Sequence, residues 1–127
     1  MDFDVHILPR EEGCYLVTLI GQLDSKTAEL FEQKLASILN LTTNVLIFDM
    51  SNLAYISSMG IRLIFKAEKA IELNGGKALM VNVQPQIQKI FKIAMVFSKY
   101  QSFTTVEEAA AFCTEIRKQE SNNLKAE

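Results

Sequence analysis

One stretch limits the folds open to this chain more than any other: Val45-Leu46-Ile47-Phe48-Asp49-Met50, followed by Tyr55-Ile56-Ser57-Ser58-Met59-Gly60-Ile61-Arg62. An apolar, β-branched and aromatic run without helical period is the pattern of a strand covered on both faces. A short loop from Ser51 is expected to follow, and then a helix. From Gly60 onward Leu63, Ile64, Ala67, Ala70 and Ile71 recur at helical spacing, while Arg62, Lys66 and Lys69 hold another face. Ser58 is the expected N-cap, its side-chain oxygen facing the free N–H groups of the first turn. Negative charge on that oxygen would lie where a helix end favours it.

The rest of the chain supplies the sheet that such a strand needs. Val5 to Leu8 and Tyr15 to Ile20 read as strands of an opening hairpin, broken by Pro9-Arg10-Glu11-Glu12-Gly13. After Asp24, the residues Ala28, Phe31, Leu35, Ile38 and Leu39 form a helical stripe with Asp24 or Ser25 as cap. Asn74-Gly75-Gly76 stops the Ser58 helix, since glycine takes the left-handed conformation that ends helices. Ala78 to Val83 is the next strand, and Pro85 suits the first position of a helix burying Ile87, Ile90, Phe91 and Ala94. A short strand from Tyr100 to Phe103 is expected. Thr105-Val106-Glu107-Glu108 then forms a capping box for a helix with Ala109, Phe112, Cys113 and Ile116 inward. Strands alternating with helices predict an α/β domain with a mixed, mostly parallel sheet of about five strands and about four helices. That domain is expected over residues 1–118, with 119–127 a polar, disordered tail.

Composition excludes several functions. A chain of 127 residues, 49% of them hydrophobic, buries roughly two thirds of its unfolded surface, enough for one core without metal or disulfide staples. A net charge of -2 argues against nucleic acid, which demands a dense basic patch. Cys14 and Cys113 lack metal-ligand spacing and read as buried reduced thiols. The start Met1-Asp2-Phe3-Asp4 has no basic region leading into an apolar run, and no stretch approaches roughly 18 apolar residues. A cytoplasmic protein without direct membrane insertion is therefore expected.

No catalytic constellation is present in the sequence. His6, the one histidine, has no Ser or Cys that the pattern places beside it. Gly75-Gly76 follows a helix and lacks the Lys-Ser/Thr continuation of a phosphate loop. Asp24 and Asp49 both fall at expected element ends, which admits a Mg²⁺ site or a small phosphohydrolase. The reading preferred is structural: Asp24 caps its helix and Asp49 accepts loop N–H groups. The chain is read as no enzyme and as needing no cofactor.

The strand, loop and Ser57-Ser58-Met59-Gly60 helix start resembles the STAS domain, the fold of bacterial anti-sigma factor antagonists. Gly21-Gln22-Leu23-Asp24 is similar to the family's glycine, leucine and aspartate between the second strand and first helix. Asp49 resembles the aspartate that ends the third strand, and Glu107-Glu108-Ala109 the start of the last helix. One departure stands out: many phosphorylated members carry aspartate before the acceptor serine, where this chain has Ser57. The resemblance implies partner switching. In that scheme the unphosphorylated antagonist binds an anti-sigma factor that is also a serine kinase, and so frees a sigma factor. Phosphorylation at Ser58, or alternatively at Ser57, ends the complex, and a serine phosphatase resets it. The family's aspartate at the Asp24 position lies close to the acceptor and to the bound kinase.

The face beside Ser58 has the character of a contact patch. Met59, Ile61 and Phe65 project away from the core stripe, with Glu68 and Glu72 continuing the row, and apolar residues bordered by charge suit a protein partner. Packing against a neighbouring helix is the alternative for Ile61 and Phe65. Arg62 follows Ser58 by four residues and shares its face. The expected partner surface is thus Asp24, Ser57, Ser58, Met59, Gly60, Ile61, Arg62 and Phe65. The rival function is a STAS scaffold subunit of a signalling or lipid-transport complex that is never phosphorylated.

Overall fold

The computed structural model describes residues 3–10, 13–40, 43–94, 102–103, 106–109 and 111. The opening hairpin is formed by β1 (Asp4–Pro9) and β2 (Cys14–Leu23), which pair antiparallel from Asp4 opposite Ile20 to Pro9 opposite Tyr15. The Gly13 carbonyl accepts the N–H groups of Asn44 and Val45 at 2.8 and 3.1 Å, which ties the hairpin's turn to the start of the next strand. Helices and strands then alternate: α1 (Ala28–Ala36), β3 (Val45–Ile56), α2 (Ser58–Leu73) and β4 (Lys77–Val81). After these come α3 (Pro85–Ala94) and β5 (Ser102–Phe103). Residues 106–109 are again helical.

The sheet has five strands in the order β1-β2-β3-β4-β5, and every pair after the first is parallel. Right-handed crossovers that all step the same way must put their helices on one face. The core confirms it: Phe31 and Leu35 of α1, Leu63, Ile64, Ala67 and Ile71 of α2, and Ile87 and Phe91 of α3 share one buried cluster with Val17, Leu19, Leu46, Phe48, Met50 and Met80 of the sheet. Phe31 and Phe48 stack there with ring centroids 6.4 Å apart, and each fully buried side chain of this size contributes about 1.5–3 kcal/mol. The opposite face holds a smaller cluster of Cys14, Val45, Ile47, Leu79 and Val81, covered by Ala109 and Val106. Alternation along β3, with Leu46 and Phe48 to one side and Val45 and Ile47 to the other, explains why its sequence has no polar face.

Three expectations change. The loop after Met50 is strand, because β3 runs on to Ile56 beside the end of β2, with Gly21 opposite Leu53 and Leu23 opposite Ile56. Twice in that stretch β3 gains a residue over β2, between Thr18 and Ile20 and between Gly21 and Gln22; Gly21 has φ 97°. Such bulges replace the period of two by one of three, so Leu53 and Ile56 are buried between exposed pairs. Secondly, Asp24 and Ser25 do not cap α1. The residue before that helix is Thr27, whose side chain makes no cap bond. Thirdly, α1 stops at Ala36, although Ile38 beyond it is still buried. The helix stop at Asn74-Gly75, with Gly75 at φ 79°, and the start of α3 at Pro85 are as expected. Ser102 and Phe103 fall in the expected last strand. Tyr100, Thr105 as the expected cap, Phe112, Cys113 and Ile116 expected to face inward, and the expected tail 119–127 lie outside the described residues.

Candidate functional site

With β3 ending at Ile56, a single residue joins strand to helix, and that residue is Ser57. Its backbone is extended at φ -90° and ψ 174°, its carbonyl accepts the Ile61 N–H at 2.9 Å, and its hydroxyl oxygen accepts the Gly60 N–H at 3.2 Å. Ser57, not Ser58, is the N-cap. The cap must be the half-extended residue at the strand's end, so an unexpectedly long strand and a cap shifted by one residue are the same fact. Ser58 becomes the first helical residue, exposed, and among the described residues nothing hydrogen-bonds its hydroxyl. No acidic residue stands in the first turn. Ser57→Ala is expected to lower stability by about 1 kcal/mol and Ser57→Asp to restore it, as read by urea denaturation.

The helix start rests on the end of β2. The Ser57 N–H donates to the Leu23 carbonyl at 2.9 Å. Gly60 lies over the same carbonyl so closely that a Cβ would sit 2.7 Å from its oxygen, 2.8 Å from Ile56 Cγ1 and 2.9 Å from Leu23 Cγ. Asp24 is the next residue of the chain. Its Oδ1 accepts the N–H groups of Lys26 and Thr27 at 2.9 and 3.2 Å. The Thr27 hydroxyl accepts the Asp24 N–H at 2.9 Å and donates to the Gln22 carbonyl at 2.9 Å. Asp24 therefore closes a turn ahead of α1, and the turn holds its carboxylate one residue from the carbonyl on which Ser57 docks. Ser57, Gly60 and Leu23 are brought together directly, with Asp24 and Ser58 flanking them.

Asp49 is elsewhere. It pairs with Thr18, roughly 20 Å before Asp24 along β2 at about 3.3 Å per residue. Its Oδ1 accepts the Ser51 N–H at 3.0 Å and the Asn82 amide at 3.4 Å, the local acceptor role expected of it. The two aspartates cannot share a cation, and among the described residues no three His, Cys, Asp or Glu gather as a metal site. A cleft of about 210 Å³ between α1 and α2 is lined by Phe31, Leu35, Leu63, Ala67 and Ala70. Its rim carries the exposed Lys66–Glu32 pair at 3.4 Å, and its described lining holds no Ser, Thr, Cys or His. Among the described strands the order never reverses, so they form no switch point of the kind at which open α/β folds bind small molecules.

Along α2, Ser58, Arg62 and Phe65 form an exposed row, and the Lys69 ammonium lies 5.2 Å from the centre of the Phe65 ring. Phe65 is 39% exposed. Met59 and Ile61 are half-buried and pack on the main core, so packing claims part of them. Glu68 does not continue the exposed row. It is 4% exposed, and burial, reinforced by Glu72 and opposed by Lys69, pushes its carboxyl up to about 7. Tyr55, half exposed at the end of β3 opposite Gln22, is absent from the expected site residues. An aromatic three residues before an exposed serine is the signal that could have found it. His6 pairs with Asp4 at 3.1 Å on the outer strand, and no described helix is long and apolar enough to cross a membrane.

The chain is similar in sequence and in fold to known proteins. The family model described as the STAS domain matches residues 7–109. BtrV of Bordetella bronchiseptica, which carries the name of an anti-sigma factor antagonist, is 27% identical over 100 residues, covering 79% of this chain and 86% of that protein. The anti-sigma F factor antagonist of Lysinibacillus sphaericus is 25% identical over 95 residues, covering 74% of this chain and 80% of its own length. Among solved structures, SpoIIAA in its unphosphorylated form aligns with a TM-score of 0.70 at 22% identity over 86% of this chain and 93% of that one. The phosphorylated form of the Bacillus cell fate determinant SpoIIAA aligns at 0.66. At such identities the structural likeness is one of fold.

Proposed function

The chain belongs to the STAS domain family, and from that membership we propose that it is an anti-sigma factor antagonist working by partner switching, with Ser58 as its phosphoacceptor. The observation that carries the choice of residue is the division of labour between two adjacent hydroxyls. Ser57 Oγ is held by the Gly60 N–H, whereas the Ser58 hydroxyl is exposed and unengaged at the first position of α2. Names borne by relatives in two genera support the antagonist role.

In this reading the chain is a substrate and binding partner, not an enzyme. It works in the cytoplasm, where an anti-sigma factor with serine kinase activity docks on Asp24, Ser57, Ser58, Met59, Ile61, Arg62 and Phe65; Gly60, expected in that surface, is buried against Leu23 and Ile56 and seats the helix instead. Docking releases the sigma factor. Transfer of the γ-phosphoryl group of ATP to Ser58 Oγ adds about -1.5 to -2 charges at a helix end that carries no acid of its own and tolerates the charge in the free protein. Inside the complex the same charge must be desolvated against the partner, and binding ends. A metal-dependent serine phosphatase then restores the hydroxyl. No refolding of the antagonist is required.

Phosphopeptide mapping of the protein isolated from its own cell tests this assignment. Phosphate is expected on Ser58, absent in Ser58→Ala and retained in Ser57→Ala. Phosphate on Ser57, or on neither serine when the cognate kinase is present, overturns it.

A further inference from the structure

Helix α2 carries a second ionisable feature, nearly three turns below Ser58. Glu68 lies on the buried side of the helix with Ile64 and Ile71, four residues before and three after it, both in the main core. Its Oε1 is wholly buried and, among the described residues, has no hydrogen-bond partner. Buried carboxyl oxygens are ordinarily paired, and leaving one unpaired while ionised costs more than leaving it unpaired as a neutral acid. We propose that Glu68 is a proton-sensitive latch beneath α2: as the neutral acid it lets the helix seat on the sheet, and on ionisation it draws towards solvent and loosens that seat.

Among the described residues, no charge is placed to hold an ionised Glu68. Glu72, one turn on, repels it, and Lys69 attracts it only weakly because that ammonium is engaged with Glu72 at 3.5 Å and with the Phe65 ring. On the elements packed against α2, Glu32 of α1 is paired with Lys66, and Asp49 of β3 with Ser51 and Asn82. Among the described charges of the neighbouring elements, Glu29 and Lys34 of α1, Lys77 of β4 and Lys89 of α3 make no ion pair with Glu68. A carboxyl raised from 4.5 to about 7 keeps its proton in the folded protein after the unfolded chain has lost it. Its stabilising contribution is therefore full below pH 4.5, falls as pH rises to about 7, and is absent above.

Two measurements test the latch. In the wild type, a carbon-detected NMR titration should show the Glu68 carboxyl, assigned by its loss in Glu68→Gln, with a midpoint near 7. A midpoint between 4 and 5 overturns the proposal without reliance on any variant's folding. In urea, the wild-type folding equilibrium should fall relative to that of Glu68→Gln by about a hundredfold between pH 5 and pH 8, because the unfolded chain gains a factor of ten for every pH unit over which it alone has released the proton. Hydrogen exchange of the α2 amides, corrected for intrinsic rates, should rise over the same interval in the wild type alone. Parallel stability curves for the two proteins, or α2 protection independent of pH, overturn it.

Discussion

Gly60→Ala is expected to destabilise the protein by about 2–3 kcal/mol and to move the start of α2, a larger effect than any other single methyl addition in the site. The added Cβ would be 2.7 Å from the Leu23 carbonyl oxygen, a backbone atom that cannot swing aside, and under 3 Å from two core side chains. Overpacking of a filled site costs about 1–3 kcal/mol. Here relief comes only by lifting the helix, which stretches the 2.9 Å bond from Ser57 to Leu23 as well. The helical propensity gained over glycine, up to about 1 kcal/mol, offsets part of the cost. Urea denaturation gives the free energy, and loss of hydrogen-exchange protection at the Ser57 amide gives the displacement. Ser58→Ala, at an exposed neighbour, should stay within about 0.5 kcal/mol of the wild type. If Gly60→Ala were equally harmless, the close seat of α2 on β2 would be wrong.

The second large effect concerns binding. Phosphorylation of Ser58, or Ser58→Asp as a weaker substitute, is expected to reduce affinity for the proposed kinase partner at least a hundredfold, about 2.7 kcal/mol, while leaving the fold at least as stable as before. Ionic repulsion and desolvation act only in the complex. In the free protein the charge sits at the amino end of α2, where it gains about 0.3–1 kcal/mol, with Arg62 one turn away. Isothermal titration of the two forms at low salt measures the first quantity and thermal denaturation the second. Equal affinities would remove the switch. Equal losses of affinity and stability would mean that the charge acts by unfolding the helix start instead of by repulsion.

Much of the fold is legible in local pattern. The hairpin, the α2 stripe, the glycine stop and the proline start are each written in residues within one turn or one strand of each other. The departures cluster where the deciding partner is remote. Leu53 and Ile56 are buried three residues apart because β3 bulges twice against β2, and a bulge is a relation between two strands that a single segment does not display. The two serines have equal capping chemistry. Which of them caps depends on where β3 ends, so the cap inherits the error in the strand. Asp24 is recognisably a residue that satisfies orphan N–H groups, but it does so for Lys26 and Thr27 in a turn. Glu68 reads as part of the exposed row because charge is normally solvated; its burial comes from how the other elements close over α2.

The order of the strands has a consequence for synthesis. Because each new strand joins the sheet beside the one made before it, no strand has to be threaded between two that already exist. A nascent chain can extend the sheet at one edge as it leaves the ribosome. The described partners of the serine-bearing turn, Leu23, Ile56 and the Ile61 N–H, all precede β4, so none of these contacts awaits β4 or β5. The earliest-made half of the molecule thus holds the described contacts that shape the helix start, and pairing chain neighbours keeps sequence separations lower than pairing distant strands would, which favours faster assembly.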